Sequence, residues 1–368
     1  MNALEALRAV HENRCRNWST RHPDRRALGY ICTYAPEEIM HAAGFTPIRL
    51  MESPDPITEG EAVLPSFCCA LARSCTDQLL KRKFDFLAGV IFPQTCDTMQ
   101  CLADIWRMTQ TEIAILHFAL PTAIESPHAL DYTVAELHHF AAELGSRFDA
   151  PVTTERLYES IALYNETRDL LTRLYASRDR LSAADVLAIV NAGMLMPKED
   201  YNPLLRQVVE AQQTEPPCPA DGKPRLILSG AILDDLALVA LVENAGAHVV
   251  GDDLCSGSRY FDTPVAIGSD PYVELARRYL NRAPCPSKHA PGRDRGERLI
   301  GLIQQNRADG VIFFIPKYCD PHAFDYPRLK SVLERAGVPH LCLETEHTVA
   351  SGQVRTRVEA FVEMIGFD

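Results

Sequence analysis

No stretch of this 368-residue chain is long and apolar enough to cross a bilayer; its longest apolar runs, such as GVIFFIP (310–316), are the size of a strand. The opening MNALEALRAVHENRCRNW lacks the apolar centre of a signal peptide and reads as a charged amphipathic helix, so the cytoplasm is the expected compartment. In a reducing compartment structural disulfides are not expected. A surplus of positive charge is missing too: 37 Lys and Arg face 49 Asp and Glu, a formal charge of -12, which argues against nucleic acid as a partner. Low-complexity tracts are absent. None of the twelve cysteines belongs to a C-x-x-C pair, the usual mark of structural zinc, and no G-x-x-x-x-G-K-[ST] loop offers a phosphate cradle.

The residues present describe an ordinary globular protein, 46% hydrophobic and 23% charged, too long for a single core. Short apolar runs alternate with helical patterns. Strands are expected at GYICTY (29–34), FTPIRLM (45–51), FLAGVIFP (86–93) and EIAILHFAL (112–120), with helices over 35–44, 69–83 and 97–109 between them. From about 129 to 214 the period is helical throughout. After a Pro-rich stretch, TEPPCPADGKP (214–224), strands return at RLILSG (225–230), AHVVG (247–251), GVIFFIP (310–316) and HLCLETE (340–346). The expected fold is therefore α/β: two Rossmann/flavodoxin-like parallel-sheet domains, 1–128 and 222–368, facing a cleft and joined by a helical region, 129–221.

The halves echo each other. DFLAGVIFPQTCD (85–97) and DGVIFFIPKYCD (309–320) share a Gly-Val-Ile-Phe strand, a proline and a Cys-Asp pair, so Cys96 and Cys319 occupy equivalent places beyond the carboxyl end of a central strand. Ligands of open parallel sheets bind at that edge. Five cysteines, Cys68, Cys69, Cys75, Cys96 and Cys101, crowd one 37-residue stretch, 65–101. Three readings compete: small buried core residues, zinc, or an iron–sulfur cluster held by thiolates from separate loops. Cys15, Cys32, Cys218, Cys255 and Cys342 read as core. Spacing alone does not name ligands.

Several separate motifs, YICTYAPEEIMHAAGFTPIRL (30–50), CALARS (69–74), QTCD, SGAILDD, GDDLCSGSRYF, KYCD and RTRVEAF, together resemble the 2-hydroxyacyl-CoA dehydratase/benzoyl-CoA reductase superfamily. The resemblance covers nearly the whole chain outside the helical middle. It implies a [4Fe-4S] cluster held by three cysteines, at the positions here of Cys69, Cys96 and Cys319. It also implies an oxygen-sensitive enzyme moving low-potential electrons onto an acyl-CoA, for ring reduction or for radical dehydration of a 2-hydroxyacyl-CoA. The implied partners are a homologous second iron–sulfur subunit and a separate ATP-hydrolysing iron–sulfur activator, consistent with the missing P-loop; neither nucleic acid nor membrane is a partner. Some members of the superfamily carry a double-cubane [8Fe-9S] cluster with six cysteine ligands, for which Cys68, Cys75 and Cys101 are the nearest further thiols here. A third expectation is a non-catalytic electron-relay subunit.

Softer candidates surround these. Tyr34, expected at the end of the first strand, could give a proton, and Glu38 lies in the first turn of a helix. Ser229 and Gly230, the candidates for cofactor binding, end a strand ahead of a helix N-terminus able to meet an anion. Asp97 and Asp320 read as helix caps, and His322 and His347 as possible proton donors. The basic stretch holding Arg277, Arg278, Arg282, Lys288, Arg293, Arg295 and Arg298 reads first as a solvated loop and second as a phosphate contact for coenzyme A.

Overall fold

The computed structural model describes residues 1–109, 112–214, 222–346 and 352–366. Among these, eight strands form two four-stranded sheets in which every pairing is parallel. The first holds β1 (Arg26–Tyr30), β2 (Phe45–Arg49), β3 (Leu87–Pro93) and β4 (Ala114–Phe118) in the order β2-β1-β3-β4. The second holds β5 (Arg225–Gly230), β6 (His248–Asp253), β7 (Gly310–Pro316) and β8 (His340–Thr345) in the equivalent order β6-β5-β7-β8. Central parallel strands are covered on both faces, which is why LAGVIFP and GVIFFIP are almost unbroken apolar runs; every residue of β7 is buried. The expected strand at 29–34 in fact ends at Tyr30, opposite Arg49, the last residue of β2, and the chain then turns, Ala35 N–H bonding to the Cys32 carbonyl at 2.9 Å.

In each sheet the strand order reverses next to the first strand, between β1 and β3 and between β5 and β7. Clefts in doubly wound folds open at that switch point, beyond the carboxyl ends of the strands. The loops leaving β1 and β3 carry Cys32 and Cys96; those leaving β5 and β7 carry Ala231 and Cys319.

Helices Ala129–Phe148, Thr154–Ala176, Ala183–Gly193 and Lys198–Thr214 fill the middle, and helix Ala3–Asn13 packs on the last two. Packing does not follow chain order. Helix Pro271–Asn281, from the second half, lies against Ala129–Phe148 and sends Tyr272, Leu275, Ala276 and Tyr279 into the core beneath β1 and β4. The Tyr279 hydroxyl donates to the Ala35 carbonyl at 2.8 Å, and Arg282 to that of Thr33 at 2.6 Å. A buried carboxylate ties all three regions together: Glu37 accepts from Tyr30 (3.0 Å) and Tyr260 (3.2 Å) and faces the Lys198 ammonium at 3.8 Å. No helix among the described residues is long and apolar enough to cross a membrane.

Gly230 is where the second sheet is least tolerant. Its φ is +154°, and a Cβ there would sit 2.0 Å from the Phe314 carbonyl oxygen of the neighbouring strand. Gly230→Ala must therefore push β5 away from β7, and is expected to lower the unfolding free energy by more than about 2 kcal/mol in a denaturant titration.

Candidate functional site

Cys69, Cys96 and Cys319 line one cavity of about 110 Å³ between the two sheets. They share a local architecture. Cys69 caps helix Ala70–Leu80, Cys319 caps helix Asp320–Arg335, and Cys96 immediately precedes helix Asp97–Thr109. Each thiol thus faces the positive end of a helix, a setting that favours a thiolate. The backbone N–H three residues on (Ala72, Met99 and His322) pulls each sulfur's pKa down without closing a full capping bond. Burial outweighs that pull: it pushes the Cys69 thiol up to about 12 and Cys96 to about 11, and raises Cys319 further. Left alone the three stay protonated; a bound cationic metal group reverses that balance.

Three more cysteines line the same cavity: Cys32 after β1, Cys255 after β6, and Cys285 after helix Pro271–Asn281. Cys32 and Cys255 read as core in the sequence, and Cys285 carries no signal there at all. The further thiols named for a larger cluster, Cys68, Cys75 and Cys101, lie elsewhere. Cys75 is buried under the Met51 carbonyl, Cys101 is exposed on its helix, and Cys68 is outside the lining. Cys218 and His347 fall outside the described residues. Ile31, Leu71, Met99 and Ile232 give the cavity apolar walls. On one side it meets a mouth of about 390 Å³ formed by Cys96, Asp97, Ser287, Asp320 and the exposed Phe324.

Only part of the basic stretch is solvated: Arg277 is exposed and Arg293 and Arg298 are part-exposed. Arg278, Arg282, Lys288 and Arg295 are all more than nine-tenths buried, turned inward to backbone carbonyls or to Asp253. Lys288 donates to the Leu120 carbonyl at 3.0 Å, and the Arg282 and Lys288 cations stack 4.9 and 5.3 Å from the Tyr34 ring. Phosphates have no open access to them. Asp253 is shared by Arg259, Arg295 and Arg298 at 3.6, 2.9 and 3.7 Å, so cations outnumber carboxylates behind the thiols. His322, read as a loop histidine, is buried in the first helical turn with Nδ1 3.4 Å from the Cys319 sulfur; burial, reinforced by Arg259 and Arg295, keeps it neutral.

The remaining candidates sit behind the cavity. The Tyr34 hydroxyl is buried near the Cys285 backbone, its pKa raised by desolvation. Ser229 is buried, and Gly230 takes a hydrogen bond from Arg259 on its carbonyl; neither lines an open phosphate site. Asp97 and Asp320 open their helices rather than capping them. Among the described residues no three His, Cys, Asp or Glu side chains converge tightly enough for a single metal ion. A polynuclear group, each metal taking one thiolate, needs no such convergence.

The family model for the 2-hydroxyglutaryl-CoA dehydratase D-component matches residues 32–365. The chain belongs to that family. Its relatives in the family include the (R)-phenyllactyl-CoA dehydratase beta subunit of Clostridium sporogenes, 27% identical over 93% of this chain and 92% of the relative. A benzoyl-CoA reductase subunit of Thauera aromatica is 28% identical over 95% and 93%, and the lactoyl-CoA dehydratase beta subunit of Anaerotignum propionicum 29% over 92% and 91%. This member of the family matches dehydratase and reductase subunits equally well, over nearly their whole length.

Glu38, a sequence candidate for catalysis, is buried against Arg168 and faces away from the thiols. Burial alone would raise its pKa, but Arg168 and Arg278 hold it below the ordinary carboxylate range. Its stabilising contribution is therefore present above the usual carboxylate pKa and fades as acid protonates it. Glu38→Ala leaves Arg168 buried and unpaired, and is expected to cost about 3–5 kcal/mol in chemical denaturation.

Proposed function

We propose that this chain is an iron–sulfur subunit of an oxygen-sensitive cytoplasmic enzyme that passes low-potential electrons to a CoA thioester. The reaction is ring reduction of the benzoyl-CoA type or dehydration of an (R)-2-hydroxyacyl-CoA. The observation that carries the reading is the meeting of Cys69, Cys96 and Cys319, drawn from both halves and all at helix N-termini, in one small cavity. At about 110 Å³ the cavity is below the roughly 300–1,000 Å³ of small-molecule sites, small for a coenzyme thioester and suited to a compact inorganic group.

The donor set fits such a group. Thiols that burial keeps protonated, backed by buried cations in excess, form a site for an anionic sulfur-rich cluster and for little else. A bound [4Fe-4S] cluster would supply single electrons at low potential. The chain's own residues do the rest. The three thiolates anchor the group, the helix N-termini favour their charged form, and the apolar walls flank it. His322 orients the Cys319 sulfur, while Tyr34 holds Arg282 and Lys288 in place through its ring.

Two observations favour variants of this reading. Six thiols on one cavity suit a double-cubane [8Fe-9S] cluster, with Cys32, Cys255 and Cys285 as the additional ligands. The other bears on where the thioester binds. A neighbouring cavity of about 610 Å³ shares Ile232 and Pro316 with the thiol cavity, but Glu12, Glu52, Asp234, Asp235 and Glu346 make it acidic, a poor setting for phosphates. This favours an electron-relay role, with a homologous partner subunit holding the acyl-CoA and a separate ATP-hydrolysing activator supplying the electron.

Iron and acid-labile sulfide per chain, on protein purified without oxygen, test the reading. About four irons support the three-cysteine cluster, about eight the six-cysteine one, and none removes both. Cys96→Ala or Cys319→Ala should abolish iron loading, whereas Cys342→Ala, on β8, should leave it intact. A full cluster in Cys319→Ala would overturn the shared-cavity assignment.

A further inference from the structure

Arg49 ends β2 and lines the thiol cavity. It is 3% exposed, and its Nε and Nη1 are buried with no hydrogen-bond partner. Among the described residues no carboxylate lies within ion-pair distance of it, and its guanidinium has only the Tyr30 ring, 5.7 Å away. Other buried arginines differ. Arg168 has Glu38, Arg178 has Asp252 at 3.2 Å, Arg295 has Asp253, and Arg282 has the Thr33 carbonyl. An unpaired buried guanidinium is among the most unfavourable groups a fold can carry, so its persistence calls for an anionic neighbour. A second donor faces the cavity from the other half: the Ser287 hydroxyl, also buried and without a partner.

We infer that Arg49 is the internal counter-charge of the cavity's occupant, donating Nε–H and Nη1–H to its anionic sulfur, with Ser287 as a neutral donor from the opposite side. The inference rests on the iron–sulfur reading above. Its chemistry is electrostatic. Reduction adds negative charge to the occupant, and a fixed cation beside it stabilises the reduced form and raises the potential. The guanidinium suits this role because its charge is permanent and its planar N–H donors diverge, so Nε–H and Nη1–H meet separate acceptors of one occupant. In the metal-free chain the same charge has nothing to face, and there it opposes folding.

Opposite effects on the loaded and metal-free chain therefore identify the role. In the anaerobically purified, substrate-free full chain, Arg49→Met should make the cluster's one-electron reduction at least tenfold less favourable, a shift of ~59 mV to more negative potential. Arg49→Lys, which keeps the charge and loses the planar donor array, should move it by less. In the metal-free chain Arg49→Met should raise the melting temperature, since an apolar side chain replaces an unpaired charge. Should Arg49→Met lose its iron while the chain stays folded, the counter-charge role also stands, as a requirement for retention. An unmoved potential and unchanged electron paramagnetic resonance in an iron-replete Arg49→Met protein would overturn the inference and leave the iron–sulfur reading intact. A lower melting temperature in metal-free Arg49→Met would overturn it too, making Arg49 a structural residue. Wild-type protein without iron would remove reading and inference together.

Discussion

The Glu37 carboxylate sits where three parts of the chain meet, and the geometry of the thiol cavity depends on it. Tyr30 reaches it from the first sheet, Tyr260 from the second half, and Lys198 from the helical middle. A charge this deep is tolerable only when its lone pairs are taken up and a cation faces it, so the three partners must arrive together. Because Glu37 opens the helix directly after the 31–36 turn, fixing it also fixes that turn, with Cys32 on it and the Thr33 and Ala35 carbonyls held by Arg282 and Tyr279. These bonds tie the turn that carries Cys32 to the second half of the chain.

Charge is distributed in an unusual way around this frame. The chain as a whole is acidic, yet cations gather behind the cavity, with Asp253 divided among three arginines and Arg49 facing no carboxylate among the described residues. Helix N-termini add partial positive charge from three directions. All of these terms favour negative charge at one point between the sheets, and burial of the thiols makes that charge unavailable until something cationic binds them.

The sheets are legible in the sequence because parallel strands covered on both faces leave an unmistakable mark: LAGVIFP and GVIFFIP have no polar side to hide. The repeated Cys-Asp after each points to Cys96 and Cys319 directly, and the shared strand order explains why the echo exists. Cys32, Cys255 and Cys285 carry no such mark. Each stands alone in its loop, and only the docking of the halves brings them to one cavity. The basic stretch misleads for a related reason: a run of arginines looks solvated until the carbonyls of Thr33 and Leu120, distant in sequence, are known to receive it. Tyr34 and Glu38 stand out by local position alone, and local position does not tell which face of a turn or helix meets a cleft.

The crossing of helix Pro271–Asn281 into the core of the first half bears on how the cavity can be filled. Two lobes joined by a simple linker could swing apart and close around a guest. Here a swing would have to drag Tyr272, Leu275 and Tyr279 out of an apolar core and break the Tyr279 and Arg282 bonds with them. The halves are interlaced, like clasped fingers. A guest too bulky to pass between packed side chains would enter before the fingers close, as the chain folds, or where the cavity meets its neighbours, at the mouth lined by Asp97, Asp320 and Phe324 or beside Ile232 and Pro316. Filling of the cavity is in this sense tied to folding rather than to a later hinge motion of two lobes.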